Sequence, residues 1–211
     1  MTELVFILDR SGSMSGLEAD TIGGFNAMLE KQRDHQEETL VSTVLFSTDT
    51  QVIHDRLPLD QVPPMTRETY SVGGCTALLD AVGGAIHHIG NVHKYARRED
   101  VPQRTLFVIT TDGMENTSRR YSYEKVRRMI QRQQERHNWE FLFLGANIDA
   151  AAEAGRFGIA PERAASYRCD QAGTALNYEV ISEAVMQVRC GAPLAEDWKA
   201  PIEADVRKRG R

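Results

Sequence analysis

Leu4-Val5-Phe6-Ile7-Leu8-Asp9-Arg10-Ser11-Gly12-Ser13-Met14 is the stretch that decides the fold. Its five consecutive apolar residues show no polar alternation, so both faces of the segment need apolar cover. That pattern belongs to a strand inside a parallel sheet with helices on either side. The small polar residues that follow mark the point where the chain leaves the core. Two further runs repeat the pattern. Leu106-Phe107-Val108-Ile109 ends in Thr110-Thr111-Asp112-Gly113, and Phe141-Leu142-Phe143-Leu144 ends in Gly145-Ala146-Asn147.

Between these runs, apolar residues recur at helical spacing. Ile22, Phe25 and Leu29 form one stripe, and Leu78, Leu79, Val82, Ile86 and Ile89 a second. Val126, Met129 and Ile130 form a third, and Leu176, Val180, Ile181, Ala184, Val185 and Val188 a last. The stretch from Leu40 to Leu59 reads differently: Val41, Thr43 and Leu45 alternate, Ser47-Thr48-Asp49-Thr50 turns, and Val52-Ile53 resumes. This predicts an antiparallel hairpin at one edge of the sheet. Ala165-Ser166-Tyr167 predicts a short last edge strand.

The fold class that follows is α/β: a doubly wound, mostly parallel, Rossmann-like sheet with helices on both faces and an antiparallel edge strand. A single domain is expected over residues 1–191. The tail from 192 to 211 holds two prolines, ends Arg207-Lys208-Arg209-Gly210-Arg211 and shows no strong period, so it is expected to be loosely ordered. Thr76-Ala77-Leu78 and Thr174-Ala175-Leu176 each follow a glycine-containing loop, which predicts a threonine cap at the start of two helices.

Composition narrows the function. With 41% hydrophobic and 26% charged residues, the 211-residue chain is an ordinary globular protein. A chain of this length buries about 70% of its unfolded surface and needs no staples. Its 25 Lys+Arg against 30 Asp+Glu, a net charge of −5, argue against a dedicated nucleic-acid binder. No apolar run approaches the roughly 20 residues of a membrane helix, and Met1-Thr2-Glu3 passes into the first strand without a basic leader. Cys75, Cys169 and Cys190 are odd in number and lack a CxxC pair, as expected of small buried or half-buried free thiols in a reducing compartment. A cytoplasmic location, with neither nucleic acid nor membrane as partner, is the expectation. Oligomeric state is not legible.

The chemistry gathers where the strands end. Asp9 closes the first strand, with serines at Ser11 and Ser13, and Asp112 closes the strand that begins near Leu106. Gly73-Gly74-Cys75-Thr76 brings a third hydroxyl to the start of a helix. In open α/β sheets, ligands sit outside the carboxyl ends of the strands where the strand order reverses. Two carboxylates and three hydroxyls make an all-oxygen set suited to a hard divalent cation, Mg²⁺ with Mn²⁺ or Ca²⁺ as the other options. The carboxylates balance the 2+ charge. The neutral hydroxyls add ligands and leave room for water or a partner's oxygen. Helix capping would account for the Asp-x-Ser-x-Ser run alone, but not for Thr76 and Asp112 at the same edge.

With these residues in place, the chain resembles the von Willebrand factor type A family. Asp9, Ser11, Ser13, Thr76 and Asp112 match the family's metal-ion-dependent adhesion site (MIDAS), and the element order matches over about residues 3 to 190. The resemblance implies a metal at the top of the sheet that binds an Asp or Glu of a partner protein. Without a leader or paired cysteines, the bacterial intracellular type of module is the form implied.

A metal-dependent hydrolase of the phosphatase kind, using Asp9, is the alternative. Enzymes of the haloacid dehalogenase type want a second carboxylate two residues after the first, where Ser11 stands. GxGxxG and GxxxxGK[ST] are absent, and Gly12-Ser13-Met14-Ser15-Gly16 puts Met14 where a hydrolase nucleophile would be. A non-enzymatic module is therefore expected. His87, His88 and His93 read as solvated helix residues. Arg128, Arg132 and Arg136, at i, i+4 and i+8, line one helix face; such a basic stripe opposite an apolar one usually reads as solvated surface, with a docking surface for an acidic partner as the minor alternative. Asn147 and Asp149 read as caps of the following helix.

Overall fold

Odd and even residues of the apolar runs point into opposite layers, which is why the runs are continuous. In the computed structural model, which describes residues 1–210, Leu4, Phe6 and Leu8 face one core layer and Val5 and Ile7 the other. Leu106 and Val108 divide from Phe107 and Ile109 in the same way, as do Leu142 and Leu144 from Phe141 and Phe143. Six strands result: β1 (Thr2–Asp9), β2 (Thr39–Phe46), β3 (Thr50–Pro58), β4 (Arg104–Thr111), β5 (Glu140–Ala146) and β6 (Ala164–Tyr167). They lie in the order β3-β2-β1-β4-β5-β6. All pairings are parallel except β2 with β3, the hairpin at one edge.

Helices cover both faces. Against one face lie α1 (Glu18–Arg33), α5 (Gln171–Arg189) and α6 (Ala200–Arg209); against the other lie α2 (Leu78–Tyr95), α3 (Tyr123–His137) and α4 (Ala150–Phe157). Phe6 of β1 meets Phe25 of α1 edge to face, with ring centroids 5.4 Å apart. Gly24 lets α1 approach α5, because a Cβ there would run into the Tyr178 ring. Arg189 is buried at the end of α5, and its guanidinium donates to the carbonyls of Gln32, His35 and Glu37, closing the C-terminal end of α1. None of the described helices is long and apolar enough to cross a membrane.

Two expectations change. The tail is not loosely ordered: residues 200–209 form α6, and Leu194, Trp198 and Ile202 are buried in the core. Trp198 Nε1 donates to the Glu162 carbonyl at 2.8 Å. The signal was present, since these three apolar residues recur every fourth position. Neither threonine caps a helix: α2 begins after Ala77 and α5 after Asp170, whose side chain accepts the Gly173 N–H.

Candidate functional site

Chain order puts β2 on one side of β1 and β4 on the other, so the strand order reverses at the carboxyl ends of β1 and β4. Asp9 and Asp112 both emerge there, each 2% exposed. Ser11 is equally buried, while Ser13 lies open to solvent.

Asp9 organises the turn. Its Oδ1 accepts the Ser11 N–H at 2.7 Å, and its Oδ2 accepts the Thr111 hydroxyl at 2.7 Å and the Asp112 N–H at 3.3 Å. Ser11 Oγ lies 3.0 Å from Ser13 Oγ, and the Ser13 hydroxyl donates to the Asp112 carboxylate. The serines therefore face the second aspartate. The short 3₁₀ turn Gly12–Met14 has no side-chain cap, so capping does not explain them.

Thr76 reaches the same place through the tertiary structure. Gly73 N donates to the Arg10 carbonyl at 2.8 Å and Gly12 N to the Gly74 carbonyl at 3.1 Å, binding the two loops together. Gly74 has φ +81, and a Cβ there would lie 2.6 Å from Thr48 Oγ1, so both backbone conformation and space call for glycine. A Cβ on Gly113 would lie 3.6 Å from Thr76 Oγ1 and 3.9 Å from Ser13 Oγ. Gly113, the residue after Asp112, therefore lies beside both hydroxyls. All five residues singled out in the sequence lie at this one edge.

The electrostatics suit a cation. Burial raises the Asp112 carboxyl above its ordinary range; the Ser13 hydroxyl opposes this, and the Asp9 charge adds to it. Burial likewise pushes the Cys169 thiol up to about 11, aided by the Asp112 charge. Its Sγ lies 3.6 Å from Asp112 Oδ2. Two buried carboxylates side by side, with no basic side chain bonded to either among the described residues, are a standing demand for positive charge. The donor set fits a hard divalent ion, and Asp9, Ser11, Ser13, Thr76 and Asp112 are the residues that would hold it. No group of three His, Cys, Asp or Glu is placed to bind metal among the described residues.

Supporting residues had no sequence signal of their own. Tyr70 is 1% exposed and its hydroxyl donates to the Asp9 carbonyl at 2.6 Å, fixing the end of β1. Asn116 grips Thr76 twice: its Oδ1 accepts the Thr76 N–H at 2.9 Å and its N–H donates to the Thr76 carbonyl at 3.0 Å. The Glu115 carboxylate accepts the N–H groups of Leu79, Thr117 and Ser118 and the Ser118 hydroxyl.

The histidines of α2 go elsewhere. His88 meets Asp55, His87 meets Asn91, and His93 meets the fully buried Glu3, which also holds Arg56 at 2.6 Å. Asp149 caps α4 by accepting the Ala152 N–H, as expected, whereas Asn147 stands in the left-handed region with φ 57.

Residues 1–142 match the family described as VWA domain containing CoxE-like protein. The chain belongs to this family. The VWA domain is also similar in fold to a von Willebrand factor type A protein from Catenulispora acidiphila (TM-score 0.60, 15% identity, covering 88% of this chain and 42% of that one). It is similar to proximal thread matrix protein 1 from the mussel byssus with a zinc-occupied MIDAS motif (TM-score 0.58, 13% identity, 87% and 45%). It is similar as well to the manganese-loaded TRAP protein of Plasmodium vivax (TM-score 0.57, 15% identity, 83% and 72%). The VWA domain spans less than half the length of the first two. At these identities the likeness shows the fold alone. No curated protein matches the sequence.

Proposed function

We propose that the VWA domain binds one hard divalent cation through Asp9, Ser11, Ser13, Thr76 and Asp112, and thereby recognises an Asp or Glu of a partner protein. The observation that carries this reading is the convergence, at the strand-order reversal, of two buried carboxylates, without a basic partner among the described residues, and three neutral hydroxyls. The zinc- and manganese-bearing neighbours are consistent with divalent-metal binding by this fold. A bound Mg²⁺, or Mn²⁺ or Ca²⁺, would supply a Lewis-acid position open to a carboxylate. Asp9 holds the Ser11 turn against β4, Asn116 holds Thr76, and the Ser13 hydroxyl screens Asp112. The loops Gly73–Thr76 and Gly113–Ser118 form the rim.

The proposal is of a binding module, not an enzyme. Around Asp9 and Asp112 stand hydroxyls, the Tyr70 phenol and a thiol with a raised pKa, and among the described residues no histidine or lysine is hydrogen-bonded to either carboxylate. We also place the module in the cytoplasm, in keeping with its three free cysteines, of which Cys169 is half-buried while Cys75 and Cys190, contrary to the burial expected of them, are exposed. Titration calorimetry with Mg²⁺, Mn²⁺ and Ca²⁺ tests the site: binding to the wild type and none to the Asp9→Ala/Asp112→Ala variant is expected. Undiminished binding by that variant refutes the proposal. Proteins retained by the wild type in Mn²⁺, released by EDTA and absent with Asp112→Ala test the partner. Metal-dependent turnover of p-nitrophenyl phosphate that is lost in Asp9→Ala would favour the hydrolase reading instead.

A further inference from the structure

The VWA domain is acidic overall, yet one segment of it is strongly basic. Between residues 119 and 136 stand seven lysines and arginines against two glutamates, in a chain with 25 Lys+Arg and 30 Asp+Glu in total. At 100° per residue, Lys125, Arg128, Arg132 and Arg136 fall within one arc of roughly 80° on α3. All four are exposed. Val126 and Ile130 anchor the opposite face in the core.

Pairing separates this stripe from ordinary charged surface. Among the described residues, nine arginines outside this segment hold a carboxylate oxygen within 4.0 Å. Of the six arginines from 119 to 136, Arg128 alone does, with Glu124 at 3.5 Å. Acidic residues outnumber basic ones in this chain, so the missing counter-charges reflect placement, not supply.

The stripe is also held in place. The Asp80 carboxylate accepts the backbone N–H groups of Arg119, Arg120 and Tyr121, each at 2.9 Å, which pins the start of the basic segment to α2. Lys125 Nζ sits 4.3 Å above the centroid of the Tyr121 ring. The segment begins directly after the loop Gly113–Ser118 that forms one rim of the metal edge, and α3 then runs back from that edge to the amino end of β5, which is parallel to β4.

The geometry points to a second recognition surface: α3 docks an acidic segment of a protein partner through Lys125, Arg128, Arg132 and Arg136. Charge complementarity selects the occupant. Single-stranded nucleic acid fits less well, because a stacking platform is missing: Tyr123 is covered by Arg156 at 3.6 Å and Tyr121 lies under Lys125 and against Gly83.

The test measures fluorescence anisotropy of a labelled glutamate-rich peptide with the full chain, in EDTA at low salt. In EDTA the metal takes no part, so this inference and the metal reading fail independently. Arg132→Glu with Arg136→Glu should weaken binding by about tenfold, with an unchanged Tm showing intact folding. Lys31→Glu with Lys208→Glu makes the same change in net charge on other exposed surfaces and should leave binding unchanged. Binding should fall as salt rises and be absent for the same peptide with glutamine in place of glutamate. An equal loss in the control pair, no binding to the wild type, or tighter binding of oligodeoxythymidine or phosphatidylserine vesicles than of the acidic peptide would overturn the proposal.

Discussion

Glu115→Ala separates a site built by tertiary contacts from one built by local sequence. Helix α2 starts after Ala77, which has no side chain able to cap it. The cap comes from another segment: Glu115 Oε2 accepts the Leu79 N–H at 2.8 Å, and Ser118 Oγ accepts the Asp80 N–H at 3.0 Å. The other carboxylate oxygen of Glu115 accepts Thr117 N–H at 2.8 Å and Ser118 N–H at 2.7 Å, closing the loop on itself. Loss of a helix cap costs about 0.5–2 kcal/mol, and loss of a carboxylate at a helix N-terminus a further ~0.3–1 kcal/mol, more when partly buried. The freed loop amides can turn to water, so their loss adds little. The expected cost is about 1–3 kcal/mol, which for a domain of this size lowers Tm by roughly 3–10 °C. Circular-dichroism melting in EDTA measures it. The same variant should bind Mn²⁺ more weakly than the wild type, because Asn116, the neighbour of Glu115, holds Thr76 on both its N–H and its carbonyl. A Tm within about 1 °C of wild type would refute the capping argument. A lowered Tm with unchanged Mn²⁺ affinity would refute the link to Thr76.

Three further outcomes are expected. Asp112→Asn should melt no lower than the wild type in EDTA, since burial and the Asp9 charge disfavour its ionised form, yet it should lose the rise in Tm that Mn²⁺ gives the wild type; differential scanning fluorimetry with and without Mn²⁺ shows both. Ile202→Ala should cost about 2–4 kcal/mol, because Ile202 is 1% exposed in the core cluster; an unchanged urea midpoint would mean that α6 lies outside the cooperative unit. His54 is 3% exposed, 2.9 Å from Thr43 Oγ1, and burial lowers its pKa below the ordinary 6.5. Below that value the unfolded chain takes up a proton that the native state refuses, so stability should fall with pH by up to about 1.4 kcal/mol per unit. In His54→Gln that contribution to the slope should disappear; an identical pH dependence of Tm would count against it.

The buried layers were legible in the sequence because a strand covered on both faces must be apolar at every position, and Leu4–Leu8, Leu106–Ile109 and Phe141–Leu144 meet that demand locally. The hairpin was legible from its alternation and turn residues. Asp9, Ser11, Ser13 and Asp112 could be placed because chemistry at a strand's carboxyl end is fixed by where the apolar run stops. Thr76 joined the set through its place after a glycine loop at the start of a helix, and the tertiary structure supplies the physical cause: Gly12, Gly73 and Gly74 pair two loops far apart in sequence, and Asn116 clamps the threonine from a third. Tyr70 against the Asp9 carbonyl, Glu115 at the start of α2 and the unpaired state of the α3 cations are likewise settled only when segments distant along the chain meet. A sequence shows the pattern of burial one element at a time. Which polar groups find partners depends on how the elements pack, and that is decided by the fold as a whole.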